Sequence, residues 1–182
     1  MNQELKNKLL KICFEYRNIL NSVLSQQSGN VSGTCYLTGH VLKSVFEKLE
    51  FQSKEISGVL YLRNENGVYM IYGGDELENE GMLIGNYHTW CEITIDGTEY
   101  IIDPGIVYLK KFIKDNLKIK LNEKIPPTIV SNIKSERLYK YEKDDSKIEQ
   151  SRFFLNKLDP SLIQYLVENL LVKSKEILGN DK

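Results

Sequence analysis

The dipeptide Asp96-Gly97 constrains the fold of this chain more than any other short segment. It lies between two runs rich in β-branched and aromatic residues, 87–95 and 98–103. An Asp-Gly pair in this setting is the strongest short-range signal for a β-hairpin with a two-residue turn. Such a turn pairs Ile95 with Thr98, and this pair sets every other pair in the hairpin. The sequence therefore predicts two antiparallel strands of known register.

This register places two residues with catalytic potential on one face of the hairpin. Trp90 lies opposite Asp103, so His88 is diagonal to Asp103 on the same face. Diagonal neighbours are about 7–8 Å apart at the backbone, and an imidazole and a carboxylate can lean together across that gap. A carboxylate that orients a histidine is half of a catalytic triad. The alternative is an exposed cross-strand polar pair with no catalytic role.

The three cysteines differ in their predicted surroundings. Cys91 is three residues from His88 and so faces the opposite side of the sheet, a core face that also carries Ile93, Ile95, Tyr100 and Ile102. Cys13 lies on the apolar side of the first helix. Both are predicted to be small buried hydrophobes. Cys35 instead follows a glycine-containing polar loop and begins a helical pattern, where unsatisfied N–H groups favour a thiolate. It can also be read as an ordinary cysteine at a helix start.

The remaining patterns predict an α+β layout of helix, helix, strands and helix. Asp159 is a plausible N-cap for the last helix, Pro160 suits its first turn, and Gly179 suits its C-terminal exit. The charged stretch 135–147 and Pro126-Pro127 look like surface connections. The predicted elements are helices at 4–24, 35–49 and 160–178, strands at 56–62, 68–72, 87–95 and 98–103, and a less clear helical segment at 108–121.

Composition narrows the class of protein. The 182 residues predict one domain, and 24 basic against 25 acidic residues leave a net charge of −1. This balance argues against a nucleic-acid partner, because such binding relies on clustered positive charge. No apolar run approaches the roughly 18 residues of a membrane span, and the charged N-terminus lacks a secretory signal pattern. Three cysteines make no disulfide framework, so we predict a cytoplasmic protein with free thiols and no membrane partner.

Two segments resemble the core of the transglutaminase-like superfamily, within the broader papain-like fold. They are SGTCYLTGHVLKSVFEKL (32–49) and YHTWCEITIDGTEYIIDPG (87–105). The most specific part is similar to that family's H-x-W … D-P pattern, carried here by His88-Thr89-Trp90 and Asp103-Pro104. The resemblance covers about residues 30–106. It implies a papain-like α+β domain over 1–182, with N-terminal helices packed on an antiparallel sheet. Residues 107–182 then form a C-terminal extension of unknown role.

The resemblance also implies an activity. Cys35 would be the nucleophile, His88 the base and Asp103 the acid that orients it, in thiol-dependent acyl transfer or hydrolysis at a peptide or carboxamide carbonyl. The partner would be a peptide or protein substrate, with no cofactor and no metal. An oxyanion donor in this family is commonly a side chain upstream of the cysteine, for which Gln26 and Gln27 are the nearby candidates. Tyr36 follows Cys35 where the family often has Trp.

Several alternatives stay open at this point. Trp90 would either wall the site or be a plain core aromatic. A zinc site would draw on Cys35, His40, His88 and Cys91, but His88 and Cys91 point to opposite faces of their strand. A catalytically inactive transglutaminase-like interaction domain is the second alternative, because a domain can keep its fold after its catalytic activity is lost. Arylamine N-acetyltransferases share the Cys–His–Asp order, but they are usually longer and nothing here suggests a coenzyme A site. The sequence indicates neither the oligomeric state nor the substrate. It also does not distinguish hydrolysis from amine transfer.

Overall fold

The computed structural model describes residues 1–26, 34–73, 87–134 and 136–179. Within these ranges the helices are α1 (Gln3–Gln26), α2 (Cys35–Lys48), α3 (Ile106–Leu117), α4 (Ile148–Leu155) and α5 (Pro160–Leu178). The strands are β1 (Gln52–Arg63), β2 (Tyr69–Tyr72), β3 (His88–Ile95), β4 (Thr98–Asp103), β5 (Ile129–Ser131) and β6 (Tyr139–Lys143). This order confirms the predicted α+β class. None of these helices has a segment long and apolar enough to cross a bilayer.

The strands pair antiparallel in the order β2-β1-β3-β4-β5, and β6 pairs with β1. The β3–β4 hairpin has the predicted register, with Ile95 opposite Thr98 and Cys91 opposite Ile102. Asp96 and Gly97 both have positive φ, 50° and 74°, as a type I′ turn requires. The turn chemistry therefore sets the register from which the site is built.

Alternation along these strands separates two apolar cores, one on each face of the sheet. The first core joins Cys91, Ile93 and Ile102 to the buried sides of α1, α2 and α5. The second joins Trp90, Ile101 and residues of α3 on the opposite face. Residues one apart in sequence, such as Trp90 and Cys91, thus belong to different cores. The central strands β3 and β4 are buried on both faces.

The predicted caps of the last helix are confirmed. Asp159 precedes α5 and accepts a hydrogen bond from Ser161 N at 2.9 Å, while Pro160 occupies the first turn. Gly179 follows the helix in the left-handed conformation, φ 78°. A β-carbon is unfavourable there, so glycine suits the exit. Local capping chemistry was sufficient to predict both ends of this helix.

The interpretation of 135–147 as a surface connection is wrong. Tyr139–Lys143 forms strand β6, which pairs with β1 by placing Leu60 opposite Tyr141 and Leu62 opposite Tyr139. Tyr139 and Tyr141 alternate with charged residues and point into the second core, where both are buried. In the sequence, the charged residues between and around the two tyrosines obscured the alternation that is typical of a strand. Smaller differences affect α3, which begins at Ile106 rather than 108, and β1, which begins at Gln52 rather than 56.

Candidate active site

His88 and Asp103 form a buried ion-pairing contact between β3 and β4. The distance from His88 Nε2 to Asp103 Oδ2 is 2.7 Å, and both side chains are 1% exposed. The hairpin register places them diagonally, so the contact arises from two neighbouring strand ends. Because both are buried, the alternative of an exposed polar pair is wrong. A carboxylate in this position holds the imidazole with Nε2–H directed towards it.

Asp103 is held by two further donors. The Tyr141 hydroxyl donates to the same Oδ2 at 2.7 Å, and Gly105 N donates to Oδ1 at 2.8 Å. A buried carboxylate is costly unless its oxygens accept hydrogen bonds. With three donors from β3, β6 and the start of α3, this carboxylate is held in one orientation. Sequence reasoning missed Tyr141, although its alternation with charged neighbours was a usable signal.

The other imidazole nitrogen of His88, Nδ1, is not engaged by Asp103. His88 Nδ1 is buried and has no hydrogen-bond partner of good geometry within the described part of the chain. The Cys35 thiol nevertheless lies close enough to act on His88 both as a hydrogen-bonding group and through its charge. Nε2 is engaged by Asp103, so Nδ1 is the ring nitrogen left to interact with the thiol. Nδ1 is thus placed to exchange a proton with the thiol.

The charges around His88 favour its protonated form. Burial lowers the pKa of His88, but the charge and hydrogen bond of Asp103 outweigh it, with a further contribution from Cys35. The net effect raises the pKa of His88 from 6.5 to about 10. At neutral pH this environment stabilises an imidazolium next to the sulfur.

Cys35 is the first residue of α2 and is partly exposed. The first N–H groups of a helix have no acceptor within it, so they present partial positive charge to a group at that end. The helix is held against the sheet by the buried Leu37, Val41 and Leu42. The thiol therefore sits at a fixed helix end and is reachable from solvent.

Aromatic rings enclose the imidazole. Trp90 lies parallel to it with a centroid distance of 6.0 Å, and Tyr72 meets it edge-on at 5.8 Å. Trp90 is both a core aromatic and a wall under His88, and its Nε1 donates to Glu92. Gly73, with φ 91°, lets β2 approach β3, because a β-carbon there would lie 2.9 Å from His88 N. With these contacts the His88 side chain is buried.

A second aromatic group lies next to Cys35. Phe154 of α4 packs against Tyr36 at 5.9 Å and against Tyr87 at 6.1 Å between ring centroids. Burial raises the pKa of both tyrosines, and an electrostatic interaction with the nearby Cys35 adds to it. Phe154 itself is 41% exposed. The C-terminal third thus supplies an aromatic surface close to the thiol.

The other two cysteines have different surroundings. Cys13 and Cys91 are fully buried in the first core, as predicted. Burial raises the pKa of Cys13 to about 12 and raises that of Cys91 well above its usual range. A buried protonated thiol is a poor nucleophile. Among the three, only Cys35 has both exposure and a histidine beside it.

The predicted oxyanion donors are only partly covered by the structure. Gln26 is the last residue of α1, and its side chain lies outside the description. Gln27 falls outside the described residues altogether. Neither candidate is therefore assigned a place in the site.

The residues of the zinc alternative are dispersed. Within the described ranges, no group of three or more His, Cys, Asp or Glu side chains converges on a point that could hold a metal. His40 turns instead to Glu55, with Nδ1 3.2 Å from Oε2. The other Glu55 oxygen accepts from Ser151 of α4 at 3.1 Å, and Ser151 also accepts from Thr89. His40 is thus part of a polar network that joins α4 to the sheet.

Comparison with known proteins informs the fold alone. No protein-family model matches the sequence, and no curated protein is significantly similar to it. A crystal structure described as a genomics target is similar, with a TM-score of 0.54 and 14% identity. The match covers 94% of this chain and 78% of that chain. It supports a shared α+β architecture that includes the C-terminal third.

Proposed function

We propose that this chain is a papain-like, transglutaminase-like enzyme that attacks a peptide or carboxamide carbonyl through Cys35. The observation that carries this proposal is the state of the His88 ring. Its Nε2 is bound to the buried Asp103, its Nδ1 is unpartnered among the described residues, and the Cys35 thiol lies close enough to interact with the ring. A buried polar atom without a partner is rare in folded proteins and calls for an explanation. Proton exchange with the nucleophile provides one.

The reaction begins with the thiol proton on His88 Nδ1. The raised pKa of His88 favours this form, and a neighbouring imidazolium stabilises a thiolate. The sulfur then forms a bond to the carbonyl carbon, and the carbonyl π electrons move to oxygen. When the tetrahedral intermediate collapses, the C–N bond breaks and Nδ1–H gives its proton to the departing amine. A thioester on Cys35 and a neutral imidazole remain.

The second half-reaction regenerates the thiolate. Neutral His88 Nδ1 takes a proton from water or from an acceptor amine, whose oxygen or nitrogen attacks the thioester carbonyl. The C–S bond breaks, and the electrons return to sulfur. Throughout both halves Nε2–H stays on Asp103, which keeps the ring oriented and stabilises its charged form. Hydrolysis and amine transfer use the same residues.

Stabilisation of the developing oxyanion is assigned to the start of α2. The backbone N–H groups of its first turn have no acceptor within the helix and carry partial positive charge. A carbonyl carbon bonded to Cys35 Sγ would direct its oxygen towards this end of the helix.

The substrate is proposed to be a peptide or protein. Tyr36, Tyr87 and Phe154 form an aromatic surface next to Cys35, and aromatic rings bind apolar side chains and the flat faces of peptide groups. The free thiols of Cys13, Cys35 and Cys91 fit a reducing compartment, so we propose a cytoplasmic location.

The test is selective alkylation, which needs no substrate. The folded protein is treated briefly with iodoacetamide at pH 6, and the labelled peptides are mapped by mass spectrometry. We expect Cys35 to react first, because Cys13 and Cys91 are buried and their pKa values are raised. The His88→Ala variant should lose most of the Cys35 rate, since the cation that favours the thiolate is gone.

A matched control is the His40→Ala variant, which removes the other histidine and should leave the Cys35 rate unchanged. Equal and slow labelling of all three cysteines would show that Cys35 is not activated. A transglutaminase-like interaction domain without catalysis would then be the better description.

A further inference from the structure

Tyr141 reaches the site from a part of the chain far from the other site residues. It lies on β6, opposite Leu60 of β1, and is separated from Asp103 by 38 positions. Its hydroxyl donates to Asp103 Oδ2 at 2.7 Å, the same length as the His88 contact to that oxygen. One carboxylate oxygen thus accepts from two side chains.

The position of the Tyr141 ring is determined by packing. It meets Trp90 edge-on at 5.0 Å and Tyr139 edge-on at 5.9 Å, and it lies 6.1 Å from the His88 ring. The side chain is buried. Burial and the Asp103 charge raise the pKa of Tyr141 well above its usual range, so the phenol keeps its proton and remains a donor.

We propose that Tyr141 is a positioning residue, whose hydroxyl fixes Asp103 Oδ2 against His88 Nε2 and shares the carboxylate's charge. This proposal rests on the proposed function, because the orientation of His88 matters only if His88 takes part in catalysis. Without the hydroxyl, His88 would be the single side-chain donor to Oδ2 among the described residues. The carboxylate would then attract the imidazolium more strongly, because hydrogen bonds to a charged group moderate its effect on neighbours.

In the part of the chain that the structure describes, the titratable groups that face His88 come from four elements. They are Cys35 of α2, Tyr72 of β2, Asp103 of β4 and Tyr141 of β6. Burial is the main cause of the raised pKa of Tyr72, so this phenol stays neutral. In a Cys35→Ala background, Asp103 is therefore, within the described ranges, the charged group against the ring. This background isolates the pair that Tyr141 is proposed to adjust.

The experiment titrates His88 by NMR in full-length Cys35→Ala protein with labelled histidine. The chain has two histidines, so a Cys35→Ala/His40→Gln spectrum assigns both signals. Adding Tyr141→Phe removes the hydroxyl and keeps the ring. We expect the midpoint of the His88 titration to move upward by about one pH unit, because the carboxylate loses a donor that shared its charge.

Tyr139→Phe is the matched control. It makes the same chemical change in the same strand, but the Tyr139 hydroxyl interacts with Ser131 and Glu136 rather than with Asp103. Its His88 midpoint should equal that of the background. An unchanged midpoint in Tyr141→Phe, or an equal shift in both variants, would overturn the proposal, because a merely structural tyrosine would give either result.

This test is independent of catalysis. A shift confined to Tyr141→Phe would support the positioning role even if Cys35 proved unreactive in the alkylation experiment. Conversely, selective alkylation of Cys35 with no such shift would leave the proposed function standing and remove Tyr141 from it. The two failures are therefore distinguishable.

Discussion

Strand β3 is buried on both faces, yet the two faces hold different chemistry. Cys91 and Ile93 face the helices and lie in the apolar first core. His88, Trp90 and Glu92 face the other way, and each carries a polar atom that is hydrogen-bonded. Cys91 and Ile93 need only shape complementarity, whereas His88 and Glu92 depend on Asp103 and Lys134 from elsewhere in the chain.

Within the face that carries His88, Trp90 and Glu92, the buried polar atoms differ in whether they are paired. Glu92 accepts from Trp90 Nε1 and from Lys134, which satisfies its buried carboxylate. Among the described residues, His88 Nδ1 is the buried side-chain nitrogen or oxygen atom without a partner. It lies at the end of β3 where the Cys35 thiol approaches. A polar face that is otherwise fully paired thus leaves one atom unpaired at the position where the proposed chemistry occurs.

The largest expected effect is on catalysis, which depends on the contact between His88 and Asp103. Asp103→Asn should fold, because the two side chains are nearly the same size. Its kcat/KM should fall by about 10⁴-fold, as the corresponding change does in serine triads, because an amide orients the imidazole poorly and cannot stabilise its charged form. The measurement is turnover of the best fluorogenic peptide amide found with the wild type. Circular dichroism checks the fold, and near-wild-type turnover would make Asp103 a structural residue.

The next effect concerns stability on the apolar face. Ile93→Ala should lower the free energy of unfolding by about 2–5 kcal/mol, because the truncated side chain leaves a cavity in the first core. Ile95→Ala makes the same change on the same face, but Ile95 is only partly buried, so the loss should be smaller. Urea denaturation of both variants measures the difference. Equal losses would contradict the assignment of Ile93 to a tightly packed core.

The smallest effect is the pH dependence of stability. The pKa of His88 is about 10 in the folded protein against 6.5 for the free group, so the folded state binds more protons between these values. Its contribution is complete below pH 6.5 and is lost as pH rises towards 10. The free energy of unfolding should therefore fall by up to about 1.4 kcal/mol per pH unit in this range.

Measurement between pH 6.5 and 8.5 isolates His88. Above this window the raised pKa values of Cys13 and Cys91 add a change of the same sign. Asp103→Asn should flatten the slope, because the charge that outweighs burial at His88 is gone. His40 is present in both proteins, so its contribution cancels in the difference. Parallel slopes for the two proteins would mean that Asp103 does not hold the proton on His88.

Sequence patterns alone determined the parts of this protein that depend on near neighbours. The Asp96-Gly97 turn set the hairpin register, and a side-chain period of two then put His88 and Asp103 on one face and Cys91 on the other. Helical periodicity located Cys35 at the start of a helix. These features follow from turn chemistry and backbone geometry, which act over a few residues.

Only the tertiary structure decided which distant segments complete the site. Strand β6 pairs with β1 across about 80 residues and brings Tyr141 to Asp103, while α4 brings Phe154 to Tyr36. The alternation of tyrosine and charge in β6 is visible in the sequence, but its pairing partner is not. Strand pairing over such a separation is selected by the packing of the whole second core, where Tyr139 and Tyr141 fill space beside Trp90 and Leu60. Local rules carry no information about that choice.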